Sequence, residues 1–183
     1  MQKLNHPIEK HVQTITYNGI EFQVVERPDV LWVGCVDYAK NNTDQSDIGA
    51  TQKRFFEVLI DVAKNDLINP GYGASISINY GCDDKPCGLM IAEETYSDKQ
   101  DERFDLFTQP GGLWLRIHIT DETDTALLGR KNHGIWEYYA ENILVNAAEE
   151  NGYKTNPDIH VGVEYDCHAG PEAFYVYIPI IAV

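Results

Sequence analysis

Two stretches of this chain repeat each other at a single spacing, which constrains the fold more than any other feature. Ile76-Ser77-Ile78-Asn79-Tyr80-Gly81-Cys82 returns 85 residues later as Val161-Gly162-Val163-Glu164-Tyr165-Asp166-Cys167. At the same offset, Glu57-Val58-Leu59-Ile60-Asp61-Val62-Ala63 returns as Asn142-Ile143-Leu144-Val145-Asn146-Ala147-Ala148. One offset serves a strand-like window and a helix-like window together. A repeat of that length is too long for a solenoid unit and suits a duplicated half-domain. Two similar halves meet at a pseudo-twofold axis, and ligand sites tend to form at such seams. The copies differ at one telling position, where Asn79 is neutral and Glu164 is charged.

The local pattern fills in the halves. Residues 1–10 are polar and read as a loose arm. His11 to Tyr17 and Ile20 to Val25 alternate about Asn18-Gly19, a strong hairpin turn. Val30 to Tyr38 is rich in β-formers. Thr51 to about Asn65 carries Phe55, Val58, Leu59 and Val62 at helical spacing. Strands are expected over 74–80 and 88–95, and a short extended piece over 104–108. The second half repeats the order, with a strand over 113–120, a helix from about 134 to 150 closed by Gly152, and strands over 159–165 and 172–180. The expected fold is α+β: two β-α-β-β halves about a pseudo-twofold, with antiparallel sheets curling around a central ligand pocket. Residues 1–18 form the arm and first hairpin strand. Residues 19–183 form one domain, with halves of about 19–108 and 109–183.

Charge narrows the function. The formal net charge of −15 repels phosphate backbones, so direct nucleic-acid binding is not expected. No apolar run is long enough to cross a bilayer, and no basic-then-apolar leader is present. The four cysteines are therefore expected to be reduced, in the cytoplasm. Cys82, Cys87 and Cys167-His168 are too loosely spaced for a structural zinc site, so neither metal nor cofactor is expected.

Alternation divides the strand at 159–165 in two. Ile159, Val161, Val163 and Tyr165 form an apolar side, expected to pack under the helices. His160, Gly162 and Glu164 form the other. The first copy matches, with Ser77 and Asn79 opposite Ile76, Ile78 and Tyr80. Small residues beside one carboxylate would line a cavity; the alternative is a glutamate on a solvated face. Trp32 and Trp114 begin matching strands at an offset of 82, and Trp136 and Tyr139 lie one helical turn apart. Such rings stack on planar ligands and attract cations, or simply fill core. His118 shares a strand side with Trp114 and Arg116.

The doubled β-α-β-β order and the endings Gly162-Val163-Glu164-Tyr165 and Phe174-Tyr175-Val176-Tyr177-Ile178-Pro179-Ile180 resemble the GyrI-like effector-binding domain, the ligand-binding module of certain AraC-type and MerR-type regulators. The resemblance spans roughly Gly19 to Ile180. It implies that Glu164 lies in a central pocket and meets the positive charge of an aromatic ligand, although the family's tyrosine two residues on is Asp166 here. The expected function is a stand-alone binding module for a hydrophobic, aromatic, cationic small molecule. Glu164 is the charge partner, Trp32, Trp114, Trp136, Tyr139 and Tyr38 the walls, and Asn79 a polar contact. Two alternatives follow from the same resemblance. One is hydrolysis of strained electrophiles, with Glu164 as base and Tyr139 as proton donor. The other is a protein partner, through inhibition of a topoisomerase.

Overall fold

A computed structural model describes residues 6–39, 48–61, 64–129, 139–165 and 173–183. Strands β1 (Lys10–Tyr17) and β2 (Ile20–Arg27) form the expected hairpin. Asn18 and Gly19 both take positive φ, 49° and 78°, as a two-residue primed turn requires. Strand β3 (Val30–Tyr38) leads to helix α1 (Ile48–Asp61), then β4 (Ala74–Ile78), β5 (Gly88–Thr95), β6 (Asp105–Gln109) and β7 (Gly112–Thr120).

Helix α2 (Asp121–Leu128) follows β7 directly. Thr120 and Thr123 cap it reciprocally, and Gly129 ends it in the left-handed region. Of the second helix expected from about 134 to 150, the segment from residue 139 lies within the described residues. That segment is a π-helical turn (Tyr139–Ile143) running into α3 (Leu144–Glu150). Strands β8 (Tyr153–Thr155), β9 (Val161–Tyr165) and β10 (Ala173–Ala182) complete the fold. β8, three residues long, carries too little pattern to be read from the sequence.

The strands make one ten-stranded antiparallel sheet, ordered β1-β2-β7-β10-β9-β4-β5-β3-β6 with β8 on β10; it does not close. β4 and β9 pair at its middle, where Ser77 faces Gly162. Outward from that pair the order reads β5-β3 on one side and β10-β7 on the other. The strand order of the halves is therefore alike, but their registers are not. Ala74 pairs with Ala92; shifted by 85 this becomes Ile159 and Tyr177, yet Tyr177 pairs with Val163. Nor do Asn79 and Glu164 occupy matching places. Asn79 lies beyond the end of β4 with φ 57°, whereas Glu164 is inside β9.

Alternation sends side chains to two different cores. On the helix face, Leu115, Ile117, Ile119, Phe174, Val176, Ile178 and Ile180 pack against Ile143, Leu144, Ala147 and Ala148, and Val33, Cys35 and Ile91 pack against Phe55 of α1. The opposite face carries Trp32, Trp114, Tyr165, Tyr175, Tyr177, Met90, Ile76 and Val163. We call it the aromatic face; among the described residues no helical one belongs to its cluster. Gly34 keeps β3 tight against β5, since a Cβ there would sit 2.0 Å from the Ile91 carbonyl oxygen.

Candidate functional site

The aromatic face encloses a charged cluster built from segments far apart in the chain. Strand β5 alternates Met90, Ala92 and Glu94 onto this face, and β2 alternates Gln23, Val25 and Arg27. Arg27 and Glu94 are each 2% exposed, and their side chains form an ion pair through Arg27 Nη2 and Glu94 Oε1. His6 Nε2 lies 2.5 Å from Glu94 Oε2, and the Tyr165 hydroxyl donates to the same oxygen at 3.2 Å. The Ile8 amide donates to His6 Nδ1 at 3.4 Å. On β7, Trp114, Arg116 and His118 share this face. Arg116 donates to Glu9, to Tyr177 Oη (3.0 Å) and to Gln23 Oε1 (2.8 Å from Nε). Glu9 Oε1 also lies 3.3 Å from Arg27 Nε.

His6 to Glu9 is therefore not a loose arm. His6 is 4% exposed, the Glu9 side chain 3%, and Ile8 packs on the aromatic cluster. The His6 and Glu9 side chains are buried here because the face beneath them supplies partners for the imidazole and the charge.

The rings are arranged around Tyr165. It stacks on Tyr72 with centroids 6.0 Å apart and meets Trp32 and Tyr177 edge-on at 6.3 and 6.2 Å. Arg27 lies over the Tyr177 ring at 5.3 Å, and Arg116 over Tyr175 at 5.4 Å. Both are within cation–π range. Burial works against the Arg27 charge, but Glu94 and Glu9 outweigh it and hold the pKa above its ordinary value. Burial also works to raise Glu94; the His6 hydrogen bond and the Arg27 charge prevail and hold it below the usual carboxylate range. Burial, then Glu94, pushes Tyr165 up, and burial, then Glu9, does the same to Tyr177. Arg27 and Glu94 are thus held in their charged forms, and the Tyr165 and Tyr177 phenols in their neutral forms.

A cavity of about 320 Å³ opens beside the cluster, lined by Glu21, Gln23, Arg116, His118, Glu122 and Tyr175 among others. His118 stacks on Tyr175 at 4.5 Å, and burial followed by the Arg116 charge lowers its pKa.

The residues expected from the sequence divide between the faces. Trp32 and Trp114 come together in the aromatic cluster, both fully buried; the Trp32 indole donates to Gln109 Oε1 at 2.9 Å. Tyr139 is buried on the helix face, where it donates to Asp124. Tyr38 is 45% exposed at the end of β3, and the Asn79 amide donates to the Pro86 carbonyl at 3.0 Å. Trp136 lies outside the described residues. Glu164 pairs with Val176, a helix-face residue, and with Ser75. The expected division of β9 into two sides holds, but the sides are exchanged: Val163 and Tyr165 face the aromatic cluster and Glu164 faces the helices. Sequence reasoning missed His6, Glu9, Arg27, Glu94, Tyr165 and Tyr177. For Glu94 a faint signal existed, a charge in phase with Met90 and Ala92. For Arg116 and His118 the shared strand side with Trp114 was visible.

No family model and no curated protein matches the sequence. Solved structures do. SAV2435 bound to tetraphenylphosphonium is 13% identical, with 88% of this chain and 94% of that one covered and a TM-score of 0.60. A putative bacterial transcription regulation protein from Staphylococcus aureus MU50 is 13% identical over 88% and 99%, with a TM-score of 0.58. The C-terminal domain of EcmrR is 12% identical over 88% and 98%, with a TM-score of 0.57. At this identity the likeness is one of fold, and at that level the resemblance to the GyrI-like effector-binding domain holds.

Proposed function

We propose that this chain is a binding module for a hydrophobic, aromatic small molecule seated on the aromatic face of the sheet. The observation that carries it is a sheet face packed with Trp32, Trp114, Tyr165, Tyr175 and Tyr177 around buried ionised groups, with an open cavity at Arg116 and His118. An ordinary core would fill such a face with aliphatic side chains, since each buried charge must recover its desolvation cost from partners. The tetraphenylphosphonium carried by one structural neighbour is itself an aromatic molecule, which supports the same class of ligand. The expectation of a cationic ligand names Glu164 as its charge partner; Glu164 lies on the helix face, and the carboxylate facing the rings is Glu94.

The hydrolytic alternative names Glu164 and Tyr139, which lie on the helix face, where Tyr139 is buried and donates to Asp124.

Tryptophan fluorescence tests the reading, with a panel of aromatic cations, anions and neutral compounds. At least one member should give saturable quenching and a higher Tm. Tyr175→Leu, which removes the ring stacked on His118 at the cavity, should weaken that ligand by about 1 kcal/mol. If no panel member binds below millimolar concentration, the proposal fails.

A further inference from the structure

A second cavity, of about 310 Å³, opens between the end of β8 and the start of β9. It shares no lining residue with the cavity at Arg116 and His118. Much of its wall is apolar. Ala140 and Ile178 line it from the helix-face cluster, and Val161 and Ile159 from the aromatic one. No Asp, Glu, Lys or Arg is among the described residues that line it. Glu141 follows Ala140 in the chain but is not in the lining; its carboxylate is exposed and accepts from the Tyr80 hydroxyl.

Two of the polar lining residues are fixed in what they offer by the bonds they already make. His160 Nδ1 lies 3.2 Å from the Tyr80 carbonyl oxygen. A carbonyl only accepts, so the proton is on Nδ1, and in the neutral ring Nε2 is an acceptor. Among the described residues Nε2 has no partner. Asn156 Oδ1 accepts from the Asp158 amide at 3.0 Å, which sets the side-chain amide and leaves Nδ2 as its donor end. That nitrogen likewise has no partner among the described residues.

We infer that this cavity is a second binding site, for a small uncharged amide whose N–H donates to His160 Nε2 and whose carbonyl accepts from Asn156 Nδ2. An amide carries a donor and an acceptor side by side without charge, which is the complement of what the two residues offer. The apolar wall takes its ring or alkyl part. A charged ligand would leave water for a wall that holds no counter-charge. An apolar hollow with a few fixed polar groups is the usual form of a small-molecule site, and this one is at the small end of the range.

The full chain labelled with nitrogen-15 tests this with three probes built on one seven-membered ring. Caprolactam has both groups, N-methylcaprolactam lacks the N–H, and azepane is a cation without the carbonyl. At about pH 8, where an ordinary imidazole is neutral, the ring nitrogens of His160 should show the Nδ1–H tautomer. Caprolactam should shift Nε2 saturably and bind about tenfold more tightly than its N-methyl derivative. Amide shifts should centre on Val161 and Ile178. His160→Asn keeps a nitrogen donor for the Tyr80 carbonyl and removes the acceptor, so it should bring the two lactams to equal affinity. Asn156→Asp keeps an oxygen for the Asp158 amide and removes the donor, so it should weaken both. Circular dichroism checks folding. Should either variant not fold, the two lactams on the native chain decide. Equal affinity there, tighter binding of azepane, or an Nε2–H tautomer would overturn the assignment. So would shifts centred on His118, or no saturable shift at His160 up to about 0.1 M caprolactam.

Discussion

Strands β7 and β10 each contribute to both faces of the sheet, and what they send to each differs. Toward the helices they send Leu115, Ile117, Val176 and Ile178, which meet Leu144 and Ala147 in a largely aliphatic core. Toward the other side the same strands send Trp114, Arg116, Tyr175 and Tyr177, which surround buried ion pairs. Burial alone does not separate the two regions, since Leu115 and Trp114 are both fully covered. The difference lies in how each is satisfied. The helix face is stabilised by apolar area, about 25 cal/mol per Å² removed from water, and tolerates its partners closely. The aromatic face depends on a few specific pairs whose members are costly if left alone.

The largest effect should come from breaking a pair on the aromatic face. Arg27→Met keeps most of the volume but strips Glu94 and Glu9 of a shared counter-charge, and should cost about 3–5 kcal/mol in denaturant unfolding. A loss under about 1 kcal/mol would show that the two faces do not differ in the way described. On the helix face the matching test is Leu144→Ala, fully buried against β7 and β10. It should cost about 2–4 kcal/mol through lost area and a cavity. That cost should be the same at pH 7 and pH 4, because no titrating group is removed.

Acid should then separate the faces without mutation. The folded Glu94 pKa is depressed, chiefly by His6 and Arg27 prevailing over burial. Its contribution is therefore fully present above the unfolded-state value of about 4.3 and is lost as the pH falls through the lower folded value. Unfolding free energy should decline below about pH 4, by up to about 1.4 kcal/mol per pH unit for this one group. The near-ultraviolet signal of the tryptophans would report it, and a flat profile down to pH 3 would contradict it. The smallest effect belongs to neither face. Lys10 and Glu26 are paired but 79% and 54% exposed, and Lys10→Ala should change stability by less than about 0.5 kcal/mol.

Local chemistry made much of the fold legible. Asn18-Gly19 announced its hairpin because two successive positive φ angles suit few other residue pairs. β3 and β5 were readable to the residue from their β-branched and apolar runs. The 85-residue echo picked out β4 and β9, which turn out to be neighbours at the centre of the sheet. Period-two alternation also sorted the side chains of β9 into the two sets the structure contains. Alternation cannot say which set faces helices, because both faces of this sheet are buried. Glu164 and Tyr165 were therefore assigned to the wrong sides.

The charged cluster was hidden for a different reason. His6, Glu9, Arg27, Glu94, Arg116 and Tyr165 come from five separate stretches of chain. Each is unremarkable where it stands in the sequence: a polar arm, a strand end, a glutamate in a run of two. A buried ion pair exists only when long-range strand pairing brings its members within about 4 Å and excludes water. The sequence by itself determined the α+β class, the hairpin, the succession of most elements along the chain and the division of β9 into two sides, since these follow from backbone sterics and nearest neighbours. Only the tertiary structure decided which side the helices cover and which buried charges meet, because both depend on contacts between residues as far apart as His6 and Tyr165.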